Sequence, residues 1–290
     1  MSATLLEGGP LAEKIMSEVA SAVAALPENE RPKLVAVMAG DNPGARAYAR
    51  MQAKAAEQVG IAYELVELPE TVSQSEMISE VIRLNRDAAV TGIIQLMPVP
   101  PQINARQIQS LIDPLKDVDG VTPAGLGQVI RGDMNAAPCT AQSVMELVKA
   151  SGVTLRGLEC VVVGHSEIVG KPVALLLLEQ FATVTVCHIG TSEAGMLEAH
   201  TQGADLLIVA VGVKGLIKGS MIKPGAVVID VGMNRVKDAE GKTKMVGDVV
   251  FEEALEVASQ ITPVPGGVGP LTTAILVRNT MNALNLQKGL

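Results

Sequence analysis

Residues 158–172 combine the features of a phosphate-binding turn. Cys160 to Val163 form a short apolar, β-branched run that is typical of a buried strand. Gly164 ends this run, Gly170 follows six residues later, and an apolar helix continues beyond it. Glycines let the backbone approach a ligand, and the free N–H groups at a helix start attract an anion. Because Ser166 takes the place of the second glycine of a dinucleotide fingerprint, an ordinary strand-to-helix turn is the alternative interpretation.

A second candidate group lies on the helix that follows a turn at residues 42–44. Helical spacing places five residues on one face, which we expect to be buried. They are Tyr48, Met51, Gln52, Ala55 and Val59. A buried glutamine needs hydrogen-bond partners or a ligand. The sequence therefore indicates either a ligand site or a core amide that is satisfied beside a core tyrosine.

Two further segments have the composition to hold a flat polar ligand. Asp117 and Asp119 lie in an irregular segment, where carboxylates can accept hydrogen bonds from the N–H groups of a heterocycle. Solvated turn residues are the alternative interpretation of this pair. Residues 262–270 contain three glycines and three prolines, which predicts a rigid loop whose backbone can lie close to a ligand.

The composition narrows the class of protein. Of 290 residues, 48% are hydrophobic and 1% are aromatic, and the formal net charge is −8, which argues against nucleic acid as a partner. We expect a cytoplasmic protein with no membrane contact, because no apolar run approaches the ~18–20 residues of a membrane span and no signal peptide is recognisable. Cys139, Cys160 and Cys187 are expected to be free thiols of a reducing compartment. The histidines have no ligand spacing with them, so no metal site is predicted.

Strands alternate with helices along the chain, which predicts an α/β protein with mostly parallel sheets. Strands are expected at residues 33–38, 61–68, 92–97, 160–163, 183–187, 206–210 and 226–231, with a last apolar piece near residue 261. Helices are expected at residues 11–26, 44–59, 74–85, 105–112, 140–152, 173–180 and 271–286, with Thr140 as a helix cap. Residues 113–125 are expected to form a loop. The repeats after a boundary near residues 135–141 outline a doubly wound nucleotide-binding domain.

The chain closely resembles the bifunctional methylenetetrahydrofolate dehydrogenase/methenyltetrahydrofolate cyclohydrolase family (FolD). The resemblance runs over nearly the whole length and is carried by motifs in a fixed order. These motifs are GDNPGARAY (40–48), KDVDG (116–120), PCT (138–140), GHSEIVGKP (164–172), VIDVGMNR (228–235), MVGDVVF (245–251) and ITPVPGGVGP (261–270).

This resemblance implies two α/β domains flanking a cleft, of which the C-terminal one is a Rossmann-type nicotinamide-nucleotide-binding domain. Residues 1–139 with 271–290 would form the folate-binding catalytic domain, and residues 140–270 the NAD(P)-binding domain. The dehydrogenase of such enzymes transfers a hydride from 5,10-methylenetetrahydrofolate to the cofactor, and the cyclohydrolase then adds water to the methenyl product, giving 10-formyltetrahydrofolate. Members are commonly homodimers, so a homodimer is expected.

The resemblance also implies roles for individual residues. Tyr48, Gln52 and Asp119 are the candidate catalytic residues, with Tyr48 stacking against the folate and Asp119 holding the pterin. The folate would also contact Leu96, Pro265, Gly266, Gly267, Val268 and Gly269. The dinucleotide would contact Gly164, His165, Ser166, Ile168, Gly170, Ile189 and Met233.

Two positions depart from the family pattern. Where the pattern has a lysine four residues after the tyrosine, which serves the cyclohydrolase, this chain has Gln52. Lys54 is about 600° of helix from Tyr48, off the face that carries Gln52. In the strand expected at residues 92–97, Leu96 takes the place of the family's glutamine. Gln95 is one residue early, which points its side chain to the opposite face of the sheet.

These departures predict a dehydrogenase whose cyclohydrolase activity is weak or lost. Hydride transfer from a methylene between two nitrogens removes no proton, whereas water addition needs a general acid and base, for which an amide is a poor group. A fully bifunctional enzyme and a non-catalytic folate- or nucleotide-binding paralogue are the alternatives. NAD or NADP is the expected cofactor, with NAD slightly favoured, because Ile189 offers no hydrogen bond to a 2′-phosphate.

Overall fold

The structure is a computed structural model that describes residues 2–237, 241 and 243–289. The chain divides into two compact units. One unit contains a six-stranded sheet and comprises the N-terminal residues through Leu11, Val129–Met134 and Thr140–Thr272. The other contains a three-stranded sheet and comprises Ala12–Gln128, Asn135–Cys139 and the residues from Thr273 on. We call them the six-stranded unit and the three-stranded unit.

The strands and helices of the described chain follow one another in α/β order. The strands are β1 (Thr4–Leu5), β2 (Lys33–Ala39), β3 (Ala62–Leu68), β4 (Gly92–Gln95), β5 (Glu159–Val163), β6 (Thr183–Cys187), β7 (Leu206–Val209), β8 (Val227–Asp230), β9 (Asn234–Lys237), β10 (Thr243–Val246) and β11 (Gln260–Ile261). The helices are α1 (Gly9–Ala24), α2 (Pro43–Val59), α3 (Gln74–Arg86), α4 (Ala105–Gln109), α5 (Pro123–Ile130), α6 (Cys139–Ala150), α7 (Gly170–Glu179), α8 (Ile189–Glu193), α9 (Leu197–Thr201), α10 (Phe251–Val257) and α11 (Val268–Lys288).

The three-stranded unit is built on a parallel sheet in the order β3-β2-β4. The central strand β2 is an apolar run that is buried on both faces, as expected for a parallel strand covered on both sides. One face packs against a core cluster that includes Val35, Val37 and Ile93 together with residues of α3 and α4. The last part of α11 joins this unit, where Gln287 Nε2 donates hydrogen bonds to the carbonyls of Thr91 (2.8 Å) and Leu115 (2.9 Å).

The ends of α2 are fixed by local chemistry. The Asn42 side chain accepts hydrogen bonds from the N–H groups of Gly44 (2.9 Å) and Ala45 (3.1 Å), and Pro43 occupies the first helical position. The helix ends at Gly60, whose φ of +79° is the left-handed conformation that glycine adopts without strain. The predicted end of this helix at Gly60 is confirmed.

The six-stranded unit is a parallel sheet in the order β1-β11-β8-β7-β5-β6. The chain leaves β5 first toward β6 on one side and later toward β7 on the other. This reversal makes the carboxyl ends of β5 and β7 a topological switch point, where open α/β sheets bind their ligands.

Several elements differ from those expected. Strand β1 joins the six-stranded sheet, so the N-terminal residues through Leu11 lie with that unit, whereas the sequence-based division grouped them with residues 12–139. Helix α5 begins at Pro123, inside the segment expected to be a loop, and Thr140 lies within α6 because that helix begins at Cys139. Helix α11 begins at Val268, so Val268 and Gly269 belong to its first turn and not to the predicted rigid loop.

Candidate functional site

Helix α2 places Tyr48 and Gln52 one turn apart in the three-stranded unit. Gln52 is fully buried and Tyr48 is half-buried, so the expectation of a buried amide on this face is confirmed. Met51 is 53% exposed and does not belong to the buried face, because it lies 100° from Gln52 around the helix. Lys54 is exposed, as its helical position predicts.

The amide of Gln52 is anchored by a residue that sequence reasoning did not single out. The hydroxyl of Tyr63 on β3 donates a hydrogen bond to Gln52 Oε1 at 3.1 Å. Gln52 Nε2 is buried and makes no hydrogen bond of good geometry within the described residues. The predicted strand at residues 61–68 includes Tyr63, but only the packing of α2 on β3 brings its side chain to Gln52.

The two carboxylates of the 116–120 segment have different roles. Asp117 accepts hydrogen bonds from the backbone N–H groups of Gly120 (2.9 Å), Val121 (3.2 Å) and Thr122 (2.7 Å), so it stabilises the turn. Asp119 instead lies near Tyr48 and Cys139. Burial raises the pKa of Asp119 to about 7, and the charge of Asp117 adds to the shift. Burial also raises the pKa of Tyr48 far above its usual range, with Asp119 contributing and the Gln52 amide opposing, so the phenol stays neutral.

Cys139 and Asn279 support the segment that carries Asp119. The Cys139 thiol donates to the carbonyl of Val118 at 3.3 Å, and the Cys139 N–H donates to the carbonyl of Asp119 at 3.2 Å. Asn279 of α11 donates from Nδ2 to the same Val118 carbonyl at 3.0 Å. Burial raises the pKa of the Cys139 thiol well above its usual range, so this cysteine is a neutral packing group. All three cysteines are buried and form no disulfide, which agrees with the expected thiols.

The end of β4 shows on which face of the sheet the side chains of Gln95 and Leu96 lie. Gln95 pairs with Val37, whose side chain belongs to the core cluster on the α3 face of the sheet. Leu96 therefore lies on the other face, the one that carries Tyr63. The register of β4 against β2 is continuous from Gly92 to Gln95, so no bulge returns Gln95 to the face of Leu96. We call Tyr48, Gln52, Tyr63, Leu96 and Asp119 the folate-side cluster, after the ligand that the family resemblance implies for Tyr48, Leu96 and Asp119.

The carboxyl end of β5 carries the second group of candidate residues, in the six-stranded unit. Gly164 has a φ of +120°, and a Cβ atom there would overlap the carbonyl oxygen of Ala210 at the end of β7. A Cβ atom at Gly170 would overlap the carbonyl of Gly164. The Ser166 hydroxyl accepts from the N–H groups of Val169 (3.2 Å) and Gly170 (3.5 Å) at the start of α7. The two glycines thus allow a tight turn at the switch point, as a phosphate cradle requires.

Exposed side chains surround this turn. His165 and His188 follow β5 and β6, and their ring centroids are 5.1 Å apart. His188 Nδ1 accepts from the Gly190 N–H at 3.2 Å. Ile168, Ile189 and Met233, which follow β5, β6 and β8, are 48%, 71% and 63% exposed, so their apolar side chains are available for contact.

Two buried carboxylates fix the loops after β7 and β8. Asp248 accepts from the N–H groups of Val211 and Gly212, both at 2.8 Å, and from Asn234 Nδ2 at 2.8 Å. Asp230 accepts from the N–H groups of Gly232 (2.9 Å), Asp248 (3.0 Å) and Val249 (2.9 Å). Burial raises the pKa of Asp230 to about 6 against the effect of these hydrogen bonds. The sequence motifs around these residues therefore have a structural explanation.

The loop after β11 also belongs to the six-stranded unit. Its Val264–Pro265 peptide bond is cis, and the carbonyl of Gly266 accepts from the Gly8 N–H at 2.9 Å. Pro265 is exposed, whereas Gly267 and Val268 are buried. Of the residues expected to line the folate, Pro265 thus presents its ring to solvent and Val268 does not.

Metal sites and membrane-spanning helices are both absent from residues 2–237, 241 and 243–289. No group of three or more histidine, cysteine, aspartate or glutamate side chains in this part of the chain could hold a metal ion. None of its helices is both long and apolar enough to cross a membrane.

Comparisons with known proteins agree over nearly the whole chain. Two family models match: the tetrahydrofolate dehydrogenase/cyclohydrolase catalytic domain over residues 6–119, and the NAD(P)-binding domain of the same family over residues 138–288. The bifunctional protein FolD 2 of Mesorhizobium japonicum is 47% identical over 286 residues, which are 98% of this chain and 92% of that protein.

Solved structures give the same result. The bifunctional FolD methylenetetrahydrofolate dehydrogenase/cyclohydrolase of Campylobacter jejuni superposes with a TM-score of 0.92 at 40% identity, covering 99% of this chain and 100% of that one. The Trypanosoma brucei enzyme, solved with NADP and an inhibitor, gives a TM-score of 0.93 at 38% identity, covering 99% of each chain.

Proposed function

Because the chain belongs to the tetrahydrofolate dehydrogenase/cyclohydrolase family, we propose that it oxidises 5,10-methylenetetrahydrofolate to 5,10-methenyltetrahydrofolate and that its cyclohydrolase activity is weak or lost. The observation that carries the second part is the buried Gln52, which stands where the family pattern has a lysine. The nicotinamide cofactor, when bound, accepts the hydride.

The folate-side cluster supports the dehydrogenase step. Tyr48 offers a neutral aromatic ring on which a pterin can stack, and Asp119 offers a carboxylate that can accept from ring N–H groups. Removing a hydride from a methylene between two nitrogens produces a delocalised cation and releases no proton. Positioning and electrostatics are therefore sufficient for this step.

The dinucleotide is proposed to bind at the carboxyl ends of β5 and β7. The Gly164 turn and the start of α7 suit a pyrophosphate, and the exposed Ile168, Ile189 and Met233 offer apolar contacts for the rings. NAD is slightly favoured over NADP, because Ile189 at the end of β6 cannot donate a hydrogen bond to a 2′-phosphate. His165 and His188 are the nearby donors that would hold a 2′-hydroxyl.

The cyclohydrolase step needs a group that accepts a proton from water and later delivers one. An amide cannot do this near neutral pH, and general acid–base catalysis is worth about 10²–10⁴ in rate. Lys54 is exposed, and α2 is continuous, so no change of helical register brings it to the position of Gln52. Asp119 is the remaining group of the cluster that titrates near neutral pH, and its action as the base is the route by which a fully bifunctional enzyme would survive.

A paired assay tests this proposal. Oxidation of methylenetetrahydrofolate is followed with NAD and with NADP, and decay of methenyltetrahydrofolate is followed with and without protein. We expect dehydrogenase turnover with a higher kcat/KM for NAD, and methenyl decay at least about 100-fold slower than that turnover. A cyclohydrolase rate comparable to the dehydrogenase rate would contradict the proposed loss of cyclohydrolase activity. Tight ligand binding without any turnover would favour a non-catalytic paralogue.

Variants at Gln52, Leu96 and Lys54 test the same proposal in the same assay. The double change Gln52→Lys with Leu96→Gln restores both polar groups of the family pattern and is expected to raise methenyl decay above the buffer rate. Lys54→Gln is the matched control, because it removes an exposed lysine two residues away and is expected to change neither activity.

A homodimer is part of the proposal. Strand β6 is an edge of the six-stranded sheet, and its sequence, TVTVC, carries no charge that would discourage pairing with another strand. Leu178 and Phe181, which precede this strand, are 52% and 68% exposed. A second copy of the chain at this edge would cover both.

A further inference from the structure

The buried amide of Gln52 has two chemically different ends, and among the described residues only one of them makes a hydrogen bond of good geometry. Oε1 accepts from the Tyr63 hydroxyl at 3.1 Å, while Nε2, in a side chain with no solvent exposure, makes no hydrogen bond of good geometry within the described residues. A buried donor that is left without an acceptor destabilises the folded protein. Such a group is explained if a ligand supplies the acceptor.

The position of Nε2 fits this explanation. The amide lies close enough to the Tyr48 hydroxyl to lower the pKa of that phenol, and Tyr48 in turn feels the charge of Asp119. Nε2 is therefore at the end of the amide nearest the residues proposed to hold the pterin. Tyr63 is on the opposite end, on β3, and the pKa of its phenol is raised by burial, so it remains a hydrogen-bond donor at all physiological pH values.

We propose that Tyr63 is a positioning residue for folate binding: its hydroxyl holds Oε1 of Gln52, so that Nε2 is the end presented to a hydrogen-bond acceptor of the bound folate. This inference rests on the proposed function of the cluster. A primary amide has similar shapes in its two orientations, so an isolated Gln52 would present oxygen or nitrogen with little preference. The Tyr63 hydroxyl removes that freedom, and the substrate meets a donor that is already oriented.

The role differs from that of a catalytic group. Nε2 neither accepts nor delivers a proton, so it contributes to binding of the substrate and of the transition state alike. A uniform contribution of this kind changes KM and leaves kcat nearly constant. Tyr63 touches no substrate atom in this arrangement and acts only through Gln52.

A double-mutant cycle tests the proposal with four proteins: wild type, Tyr63→Phe, Gln52→Met and the double variant. Methionine matches glutamine in length and cannot hold a hydrogen bond of the same kind, so it removes the amide with little change of shape. The measured quantities are KM for methylenetetrahydrofolate, kcat, the Kd for tetrahydrofolate as a non-reacting ligand, and the unfolding temperature.

We expect Tyr63→Phe to raise KM and Kd about five- to tenfold in the presence of Gln52, which is the effect of one net hydrogen bond, with kcat changing less than about twofold. In the Gln52→Met background the same change should have no further effect on KM or Kd. Equal effects in both backgrounds would overturn the proposal, because Tyr63 would then act independently of Gln52. Coupling in the unfolding temperature with KM and Kd unchanged would also overturn it, because the contact would then be structural only.

The two proposals fail in different ways. If the wild type does not oxidise methylenetetrahydrofolate, the proposed function fails, while the Kd for tetrahydrofolate in the four proteins still tests the positioning role. If the wild type is active and the cycle is additive, only the positioning role fails.

Discussion

Asp119 is the residue whose charge we expect to govern pterin binding. Its pKa is raised to about 7, first by burial and then by the charge of Asp117. Below this pH the carboxyl is protonated in the free protein and loses acceptor capacity, and above it the carboxylate can accept two N–H groups. Binding is therefore expected to strengthen as the pH rises through 7.

The prediction is a kcat/KM for methylenetetrahydrofolate that rises between about pH 6 and 8 and then levels off, measured at a saturating nucleotide concentration. Asp119→Asn should flatten this profile and lower the plateau about 10- to 100-fold, the cost of one hydrogen bond to a charged group. A wild-type profile that is already flat over this range would show that Asp119 does not titrate there.

Sequence reasoning reached some of these residues and missed others for physical reasons. The spacing along α2 was sufficient to place Gln52 on a buried face, because helical periodicity is a local property. Residue type alone did not distinguish Asp117 from Asp119, and the choice of Asp119 came from the family resemblance. Only the path of the turn shows that Asp117 accepts hydrogen bonds from three backbone N–H groups. Tyr63 was missed because its contact with Gln52 joins two elements, and strand alternation gives a face but not a partner.

Among the elements, the β5–α7 turn makes the sharpest demand on a single residue. A side chain at Gly164 would be strained at a φ of +120° and would overlap the Ala210 carbonyl. Gly203 is an exposed glycine of the same unit without a positive φ, and a Cβ atom there would make only an ordinary contact with the His200 carbonyl at 3.4 Å.

We expect Gly164→Ala to weaken nucleotide binding more than tenfold and to lower the free energy of unfolding by about 1–3 kcal/mol. Gly203→Ala should resemble the wild type in both. Calorimetric titration with NAD and NADP and thermal unfolding measure the two effects. Unchanged nucleotide affinity in Gly164→Ala would mean that the turn does not contact the nucleotide.

The sequence was informative about elements wherever the signal was long. The core strands and α2, α3 and α7 were found with small differences at their ends. Strand β1 was missed because two residues carry no periodicity, and it is defined only by pairing with β11. Helix α5 was taken for a loop because it begins with proline and contains two glycines, although proline is well suited to a first helical turn. The same principle explains why α11 already includes Pro270.

On the scale of the whole molecule, the proposed homodimer gives a prediction about mass. The chain has a mass of 30.1 kDa, so light scattering should give about twice this value for the wild type. Phe181→Asp places a charge beside the edge strand β6, at a φ of +63° that aspartate tolerates better than most residues, and should shift the mass toward the monomer. Leu286→Asp on α11 is the control, since Leu286 has a similar exposure (61% against 68%) in the other unit. A dimer that survives Phe181→Asp would place the interface elsewhere.

The division of the chain into units has a consequence for its biosynthesis. The three-stranded unit takes its last segment from residues after Thr272, and Asn279 supplies a hydrogen bond to the carbonyl beside Asp119. On the ribosome, β2, β3 and β4 of the three-stranded sheet emerge long before α11. Asn279 lies 161 residues after Val118, so the segment that carries Asp119 gains this hydrogen bond only once α11 has been synthesised.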